Sequence, residues 1–178
     1  MNEPDLTNRP AWWRRLTCLA LAAAALALYL VTLSRGAFPG LPAQNLAWHL
    51  GLNPMPTLLD SIWGRLTRLC LWLPGGHVSV WMGLLSAVFG AACVGLLAAL
   101  VMRLRYVLHD AHDPGEVRRE GQARLLAGVT AGLFLMTSIP FWVLSTRSLP
   151  GTFHLLLLLG TAWFFSEYQR TGRASWLY

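Results

Sequence analysis

The sequence is poor in charge and contains no lysine. Of its 178 residues, 12% are charged and 55% are hydrophobic, whereas an average soluble domain has about 25% charged residues. So few charges cannot cover the surface of a soluble globule, and the composition therefore predicts a membrane protein. All 14 basic residues are arginines. They lie at the ends of apolar runs, which is typical of contact with phospholipid headgroups and argues against nucleic acid as a partner.

Cysteines and clusters of metal ligands are also scarce. Cys18, Cys70 and Cys93 have no paired spacing, so they predict neither a disulfide framework nor a metal site. The segment HDAHD at 109–113 combines imidazoles and carboxylates, which are common metal ligands. It falls in a loop with Gly and Pro but without companion ligands, where solvated polar residues are the usual finding. The sequence predicts no metal and no cofactor.

The chain does contain long apolar runs, which predict an all-α, polytopic membrane protein. A helix needs about 20 apolar residues to cross the bilayer core. Within a single membrane domain of residues 1–178, the runs predict about four transmembrane helices, at residues 16–34, 78–102, 125–144 and 151–167. The last run is the shortest, and whether it crosses fully stays open.

Small residues and a proline shape the middle two runs. Small residues such as Gly83 and Ala87 allow helices to pack closely. Gly128 and Gly132 have the four-residue spacing of a helix-pairing motif, which would serve packing within the chain or the binding of a partner subunit. Pro140 is expected to bend the last turn of the third run.

The distribution of arginine predicts how the chain is oriented. With a cytoplasmic N-terminus, ten arginines lie on the inner side of the membrane and four on the outer side, as the positive-inside bias requires. The loop of residues 35–77 is then extracytoplasmic. Its second half has apolar residues at helical spacing over about 57–73, with Arg65 and Arg68 elsewhere on the wheel. This pattern predicts an amphipathic helix that lies at the membrane interface, with lipid as its partner.

Asp60 is the acidic residue of the predicted outer face. A carboxylate beside a membrane pocket can act as a general base. Alternatively, the segment from Thr57 to Asp60 fits a capping box at the start of the interfacial helix. Both interpretations stay open from the residues alone.

Arg147 and His154 flank the boundary between the third and fourth runs. Arg147 would bind a phosphate through charge-assisted hydrogen bonds or mark the membrane boundary with its stem buried. His154 lies inside an apolar run, where an ionisable group is a functional candidate, although a neutral packing histidine fits as well. Gln44 and His49 in the outer loop are candidate ligand contacts, or simply solvated at the interface.

Three segments together resemble a bacterial membrane family that is related to the transmembrane protein O-mannosyltransferases of the GT-C glycosyltransferase class. They are LLSAVFGA at 84–91, IWGRL at 62–66 after Asp60, and PFW at 140–142 followed by STR at 145–147 and TFH at 152–154. The resemblance covers about residues 15–170. It implies an N-terminal GT-C module in the bacterial inner (plasma) membrane.

The resemblance also implies a reaction. Such enzymes transfer a sugar from a polyprenyl-phosphate donor to an acceptor on the extracytoplasmic side, with a carboxylate as base and cationic groups on the phosphate. Arg147 matches a family position at the outer mouth of the last hairpin. Many relatives have a carboxylate where this chain reads PGLPAQN at 39–45, so Asp60 is the candidate base here.

The length of the chain bears on that implied function. GT-C enzymes have more than four spans, so the resemblance implies a truncated module, a diverged and degenerate remnant, or a separate subunit that works with a partner membrane subunit. The alternative function is that of a small non-enzymatic scaffold or subunit whose small-residue helix faces bind a partner.

Overall fold

A computed structural model of the protein describes residues 11–34, 44, 47–48, 58–73, 77–104 and 114–171. The elements of this part of the chain are helices, and it contains no strand, which confirms the predicted all-α class. We number the helices α1 (Ala11–Val31), α2 (Leu58–Leu71), α3 (Val78–Arg103), α4 (Pro114–Thr137), α5 (Ile139–Thr146) and α6 (Gly151–Thr171).

α3 is the central helix, and α1, α2, α4, α5 and α6 all pack against it. Its buried residues are mostly small, including Gly83, Ala87, Gly90, Ala91 and Ala98. Small side chains let helix backbones approach closely, which is how membrane helices associate when lipid is as apolar as their own surface. The predicted close packing of the second apolar run is therefore confirmed.

The glycines of α4 are used in packing within the chain. A Cβ at Gly128 would lie 2.9 Å from the carbonyl oxygen of Ala98 on α3, and a Cβ at Gly132 would lie 3.1 Å from Cδ1 of Leu21 on α1. The face that was considered for a partner subunit is thus already occupied by α1 and α3. A partner subunit elsewhere on the molecule stays a prediction.

Two helices, α1 and α3, are long and apolar enough to cross a membrane among the described residues. A third crossing is obtained if α4 and α5 count as one span, since they are bent by 64° at their break. The bend predicted at Pro140 is therefore found: Pro140 lies in the first turn of α5, just after Ser138. The described part of the protein is thus an α-helical membrane protein with two or three candidate spans. α6 is not one of these candidates when only length and apolarity are considered.

α2 matches the helix predicted at about 57–73. Its buried side is centred on Trp63, whose ring lies 6.2 Å from the ring of Phe89 on α3 and 6.0 Å from that of Phe153 on α6. Cys70 packs in the same cluster, and burial raises the pKa of its thiol. Thr57 lies outside the described residues, so the predicted capping box stays untested.

The bundle has two ends, which we name by their contents. At the turn end, α1 finishes, α3 starts, and α5 is joined to α6. At the opposite end, Arg103 closes α3 onto α6: its Nη1 lies 2.5 Å from Oε2 of Glu167, and its guanidinium carbon lies 3.3 Å above the ring of Trp163. Glu167 is only 7% exposed and the side chain of Arg103 is one third exposed, so this ion pair is a partly buried contact between the two helices.

Candidate functional site

The candidate site is built around the connecting turn, residues 147–150, at the turn end. α5 stops at Thr146, and Arg147 follows it in extended backbone conformation with φ −121° and ψ 159°. The N–H of Leu149 donates to the carbonyl of Arg147 at 2.8 Å, which tightens the turn. The side chain of Arg147 is half-buried. The structure thus places Arg147 between two helices, as the sequence predicts.

Two other helices hold the backbone on both sides of Arg147. The N–H of Ser34, after the end of α1, donates to the carbonyl of Thr146 at 3.2 Å. On the other side, the hydroxyl of Ser86 on α3 lies 3.2 Å from the carbonyl of Leu149. This hydroxyl also lies 3.0 Å from the carbonyl of Met82, so its one proton is shared. The position of the connecting turn is therefore set by α1 and α3 together.

A side-chain hydrogen bond between α5 and α1 supports the same arrangement. Nε1 of Trp142 donates to the hydroxyl of Thr32 at 3.0 Å, and the hydroxyl of Thr32 donates to the carbonyl of Leu28 at 2.8 Å. Because an indole N–H has no water to bond in an apolar environment, this partner fixes α5 against α1. The start and the end of the connecting turn are thus tied to the rest of the bundle.

The first turn of α6 is polar and densely packed. Thr152 is fully buried, and the thiol of Cys93 on α3 donates to its carbonyl at 3.4 Å. The hydroxyl oxygen of Thr152 is buried without a hydrogen-bond partner. His154 is half-buried, with its ring 5.9 Å from the ring of Phe153. His154 therefore lies at the packed edge of α6 and not on its outer surface.

α2 brings a further predicted residue toward this end. Phe153, next to His154, packs on Trp63 of α2, and Asp60 lies one turn before Trp63 in the same helix. The helix that carries Asp60 therefore lies beside the first turn of α6, although the side chain of Asp60 is outside the described part. The structure thus supports the nearness of these segments and leaves the role of the carboxylate as a prediction.

The remaining predicted site residues are not joined to this group by any described contact. Gln44 is helical and exposed. His49 lies outside the described residues, as does the HDAHD segment at 109–113. No group of three or more His, Cys, Asp or Glu side chains that could hold a metal ion is found in the described ranges.

Sequence reasoning missed the residues that support the site. Ser86, Thr32, Trp142 and Cys93 bond to partners that are distant along the chain. The available signal was the presence of hydroxyl and indole groups inside apolar runs, since each must find a hydrogen-bond partner in a membrane. That signal predicts that partners exist, but it does not identify them.

Comparison with known families adds one finding. A family model described as "Protein O-mannosyl-transferase TMEM260 N-terminal domain" matches residues 59–178, about two thirds of the chain. The match starts in α2 and includes α3, the connecting turn and α6, but it does not include α1. Searches of the curated proteins and of the solved structures give no match.

Proposed function

We propose a function from one premise: the chain belongs to the family of the protein O-mannosyl-transferase TMEM260 N-terminal domain. On that premise the chain is a membrane glycosyltransferase module of the GT-C class. It uses a polyprenyl-phosphate sugar donor and transfers the sugar to an acceptor on the extracytoplasmic face. The observation that carries the proposal is the connecting turn, where Arg147 is held from both sides within the matched region.

The proposed chemistry is a displacement at the anomeric carbon of the donor sugar. An acceptor hydroxyl forms the new glycosidic bond while the bond from the sugar to the phosphate oxygen breaks, and the polyprenyl phosphate leaves with the electron pair. Arg147 stabilises the negative charge of that phosphate, because a guanidinium offers paired donors to phosphate oxygens. Asp60 accepts the proton of the acceptor hydroxyl as a general base.

The other predicted residues take supporting parts. His154, one turn beyond the connecting turn, is proposed to donate a hydrogen bond to the phosphate from its imidazole. Gln44 and His49 are proposed to contact the sugar or the acceptor. These assignments are supported by the sequence pattern and, for His154, by its position at the start of α6.

The proposal includes a topology. α1, α3, the pair α4–α5, and α6 each cross a bacterial plasma membrane, with the N-terminus cytoplasmic, so that the turn end faces outward and α2 lies at the outer interface. The excess of arginine on the opposite side supports this orientation. A partner membrane subunit that supplies further spans is part of the same proposal.

The proposal is tested by sugar transfer in proteoliposomes made with the chain, membrane extract from its host and a radiolabelled polyprenyl-phosphate sugar. Replacing Arg147 by Ala removes a charge-assisted hydrogen bond, which contributes about 1.5–3 kcal/mol. We therefore expect the rate of sugar transfer to fall by about tenfold to a hundredfold. Arg119→Ala makes the same chemical change at an exposed position near the start of α4 and should leave transfer intact. Transfer that survives Arg147→Ala unchanged would remove Arg147 from the mechanism.

The two interpretations of Asp60 are separated in the same assay. In a capping box, the side-chain oxygen of the third helical residue accepts a hydrogen bond from the backbone N–H of the N-cap residue. The amide oxygen of Asn can still accept that bond, but Asn cannot act as a general base. Asp60→Asn should therefore abolish transfer while the unfolding free energy stays the same if Asp60 is the base. Full transfer by this variant would leave only the capping role.

A further inference from the structure

α2 has a second face that no other part of the described chain covers. Its inward side chains Trp63, Thr67 and Cys70 are buried. Six described residues on the opposite side of the helix and just after its end are exposed. We call this surface the outward arc, and it consists of Ile62, Arg65, Arg68, Leu69, Trp72 and Leu73.

Exposure on the outward arc is large for apolar side chains. Trp72 is 89% exposed and Leu69 is 65% exposed. Trp72 and Leu73 lie just past α2, and their N–H groups bond to the carbonyls of Leu69 and Cys70 at 3.1 and 3.2 Å. These hydrogen bonds between residues three apart extend the last turn of α2 in 3₁₀ form. The side chains of Trp72 and Leu73 therefore belong to the same exposed surface as the outward residues of α2.

The level of α2 in the bundle follows from its inward contacts. Trp63 and Cys70 pack in one cluster with Met82 and Phe89 of α3 and with Phe153 of α6. These partners lie in the first half of α3 and the first turn of α6. α2 therefore lies beside the half of the candidate spans that includes the turn end, and the end of a span is where the hydrocarbon of a bilayer gives way to headgroups.

The outward arc has two chemically different edges. Successive residues of an α-helix are rotated by about 100°, which places Arg65 and Arg68 on one edge with Trp72 between them, and Ile62 and Leu69 on the other. An aqueous surface would leave the apolar edge in water, and hydrocarbon would desolvate two guanidinium groups. A layer of lipid headgroups accommodates both, because aromatic and arginine side chains favour that zone.

We propose that the outward arc of α2 is a binding surface for anionic phospholipids. Both charged side chains described on this arc are positive, which complements a negatively charged leaflet and not a zwitterionic one. Arg65 and Arg68 bind headgroup phosphates, Trp72 lies at the level of the headgroups between them, and Leu69 with Ile62 contacts the upper acyl chains. This interaction is independent of the proposed sugar transfer.

The test measures the fluorescence of Trp72 in the full chain, reconstituted in phosphatidylcholine nanodiscs. Subtracting the emission of Trp72→Phe from that of the wild type isolates this indole from the other tryptophans. A fixed minor fraction of the lipid is then replaced by brominated phosphatidylglycerol or by brominated phosphatidylcholine. Attraction to an anionic leaflet increases the binding constant by about fivefold for each arginine near the surface. We therefore expect several-fold stronger quenching of Trp72 by the brominated phosphatidylglycerol than by the brominated phosphatidylcholine.

Charge variants supply the matched comparison. Arg65→Gln with Arg68→Gln should remove the difference between the two brominated lipids while α-helical circular dichroism stays unchanged. Arg14→Gln with Arg15→Gln changes two adjacent exposed arginines at the first turns of α1, at the opposite end of the bundle, and should leave the Trp72 signal as it is.

Three results would overturn the proposal. Quenching by aqueous acrylamide but by neither lipid would mean that the arc lies in water. Protection from acrylamide and from both lipids would mean that protein covers it, for instance a second copy of the chain. Equal quenching by the two brominated lipids would mean that the arc touches lipid without selecting an anionic headgroup.

Discussion

Pro140 leaves a carbonyl without its usual donor, and a residue from another helix replaces it. In a continuous helix, the N–H of residue 140 would bond to the carbonyl of Met136, but proline has no N–H. The hydroxyl of Tyr29, fully buried in α1, donates to that carbonyl at 3.3 Å. Since an unsatisfied carbonyl is costly in an apolar environment, Tyr29 makes the break between α4 and α5 tolerable.

Removing this hydroxyl should therefore destabilise the bundle by a measurable amount. Tyr29→Phe keeps the edge-on contact with the ring of Phe141 and deletes only the hydroxyl, which bonds to the carbonyl of Met136 and also to the side chain of Ser145. We expect a loss of about 1 kcal/mol in the free energy of unfolding, measured by titration with SDS in mixed micelles. Tyr168→Phe, which deletes a hydroxyl near the end of α6, serves as the control, and equal losses for both variants would contradict the role given to Tyr29.

At the scale of helices, the glycines of α4 and α6 have different surroundings. A Cβ at Gly128 would meet backbone of α3 at 2.9 Å, whereas a Cβ at Gly160 on α6 has nothing within 4 Å. Gly128→Leu should therefore force α4 away from α3 and cost about 1–3 kcal/mol or more. Gly160→Leu is expected to be neutral, or slightly stabilising, since glycine is a poor helix former.

Thermal unfolding of the two leucine variants in the same detergent tests this contrast. Gly128 also belongs to the face that the sequence offers for binding a partner subunit. In the structure this face packs on α3, so the loss of a complex in Gly128→Leu would not by itself show that a partner binds there. A lost complex in Gly128→Leu would reflect damage to the packing of α3 on α4. The prediction fails if Gly160→Leu is the more harmful change.

The helix boundaries show what periodicity and apolarity can and cannot predict. The range predicted for α2 was close, because its signal is local: apolar residues recur at helical spacing and stop before Pro74. The third run was expected at 125–144, but α4 begins at Pro114 and the helix breaks at Ser138. Apolarity identifies only the part of a helix that is suited to contact with lipid. When a helix continues into polar sequence, as α4 does at its start, its length is therefore underestimated.

At the scale of the whole molecule, two ion pairs among the described residues differ in what they connect. Arg103 and Glu167 join α3 to α6 across 64 residues of sequence, whereas Arg124 and Glu120 are an i,i+4 pair within α4. Breaking a buried pair costs about 3–5 kcal/mol and an exposed one almost nothing. Both pairs are partly buried, so the contrast between them comes from the contact between helices that only Arg103 and Glu167 make, and we expect a value between these limits for that pair.

Glu167→Gln should therefore lower the free energy of unfolding by about 1–3 kcal/mol, and Glu120→Gln by about 0.5 kcal/mol or less. Equilibrium unfolding of both variants in mixed micelles measures the difference. Both substitutions replace one carboxylate by an isosteric amide, so the comparison isolates the contact between helices. Equal effects would mean that the pair at the opposite end does not hold α6 in place.

Much of the candidate site lay beyond prediction because its contacts are long-range. The sequence places Arg147 between two apolar runs, and the structure confirms that position. The sequence gives no indication that Ser34 and Ser86 hold the turn, since the carbonyl groups to which they bond lie more than 60 residues away along the chain. Such pairs depend on how α1, α3 and α5 are arranged, which the composition of each run does not specify.

The helix that precedes the family match has a consequence for where this domain can be divided. α1 supplies the hydroxyl that replaces the missing donor of Pro140. Just after its end, Thr32 supplies the acceptor for Trp142 and Ser34 supplies the N–H that holds Thr146. A chain cut at residue 59 would keep every residue that the family model matches and lose all three of these groups. The match to the family model therefore begins later along the chain than the packed bundle, which includes α1.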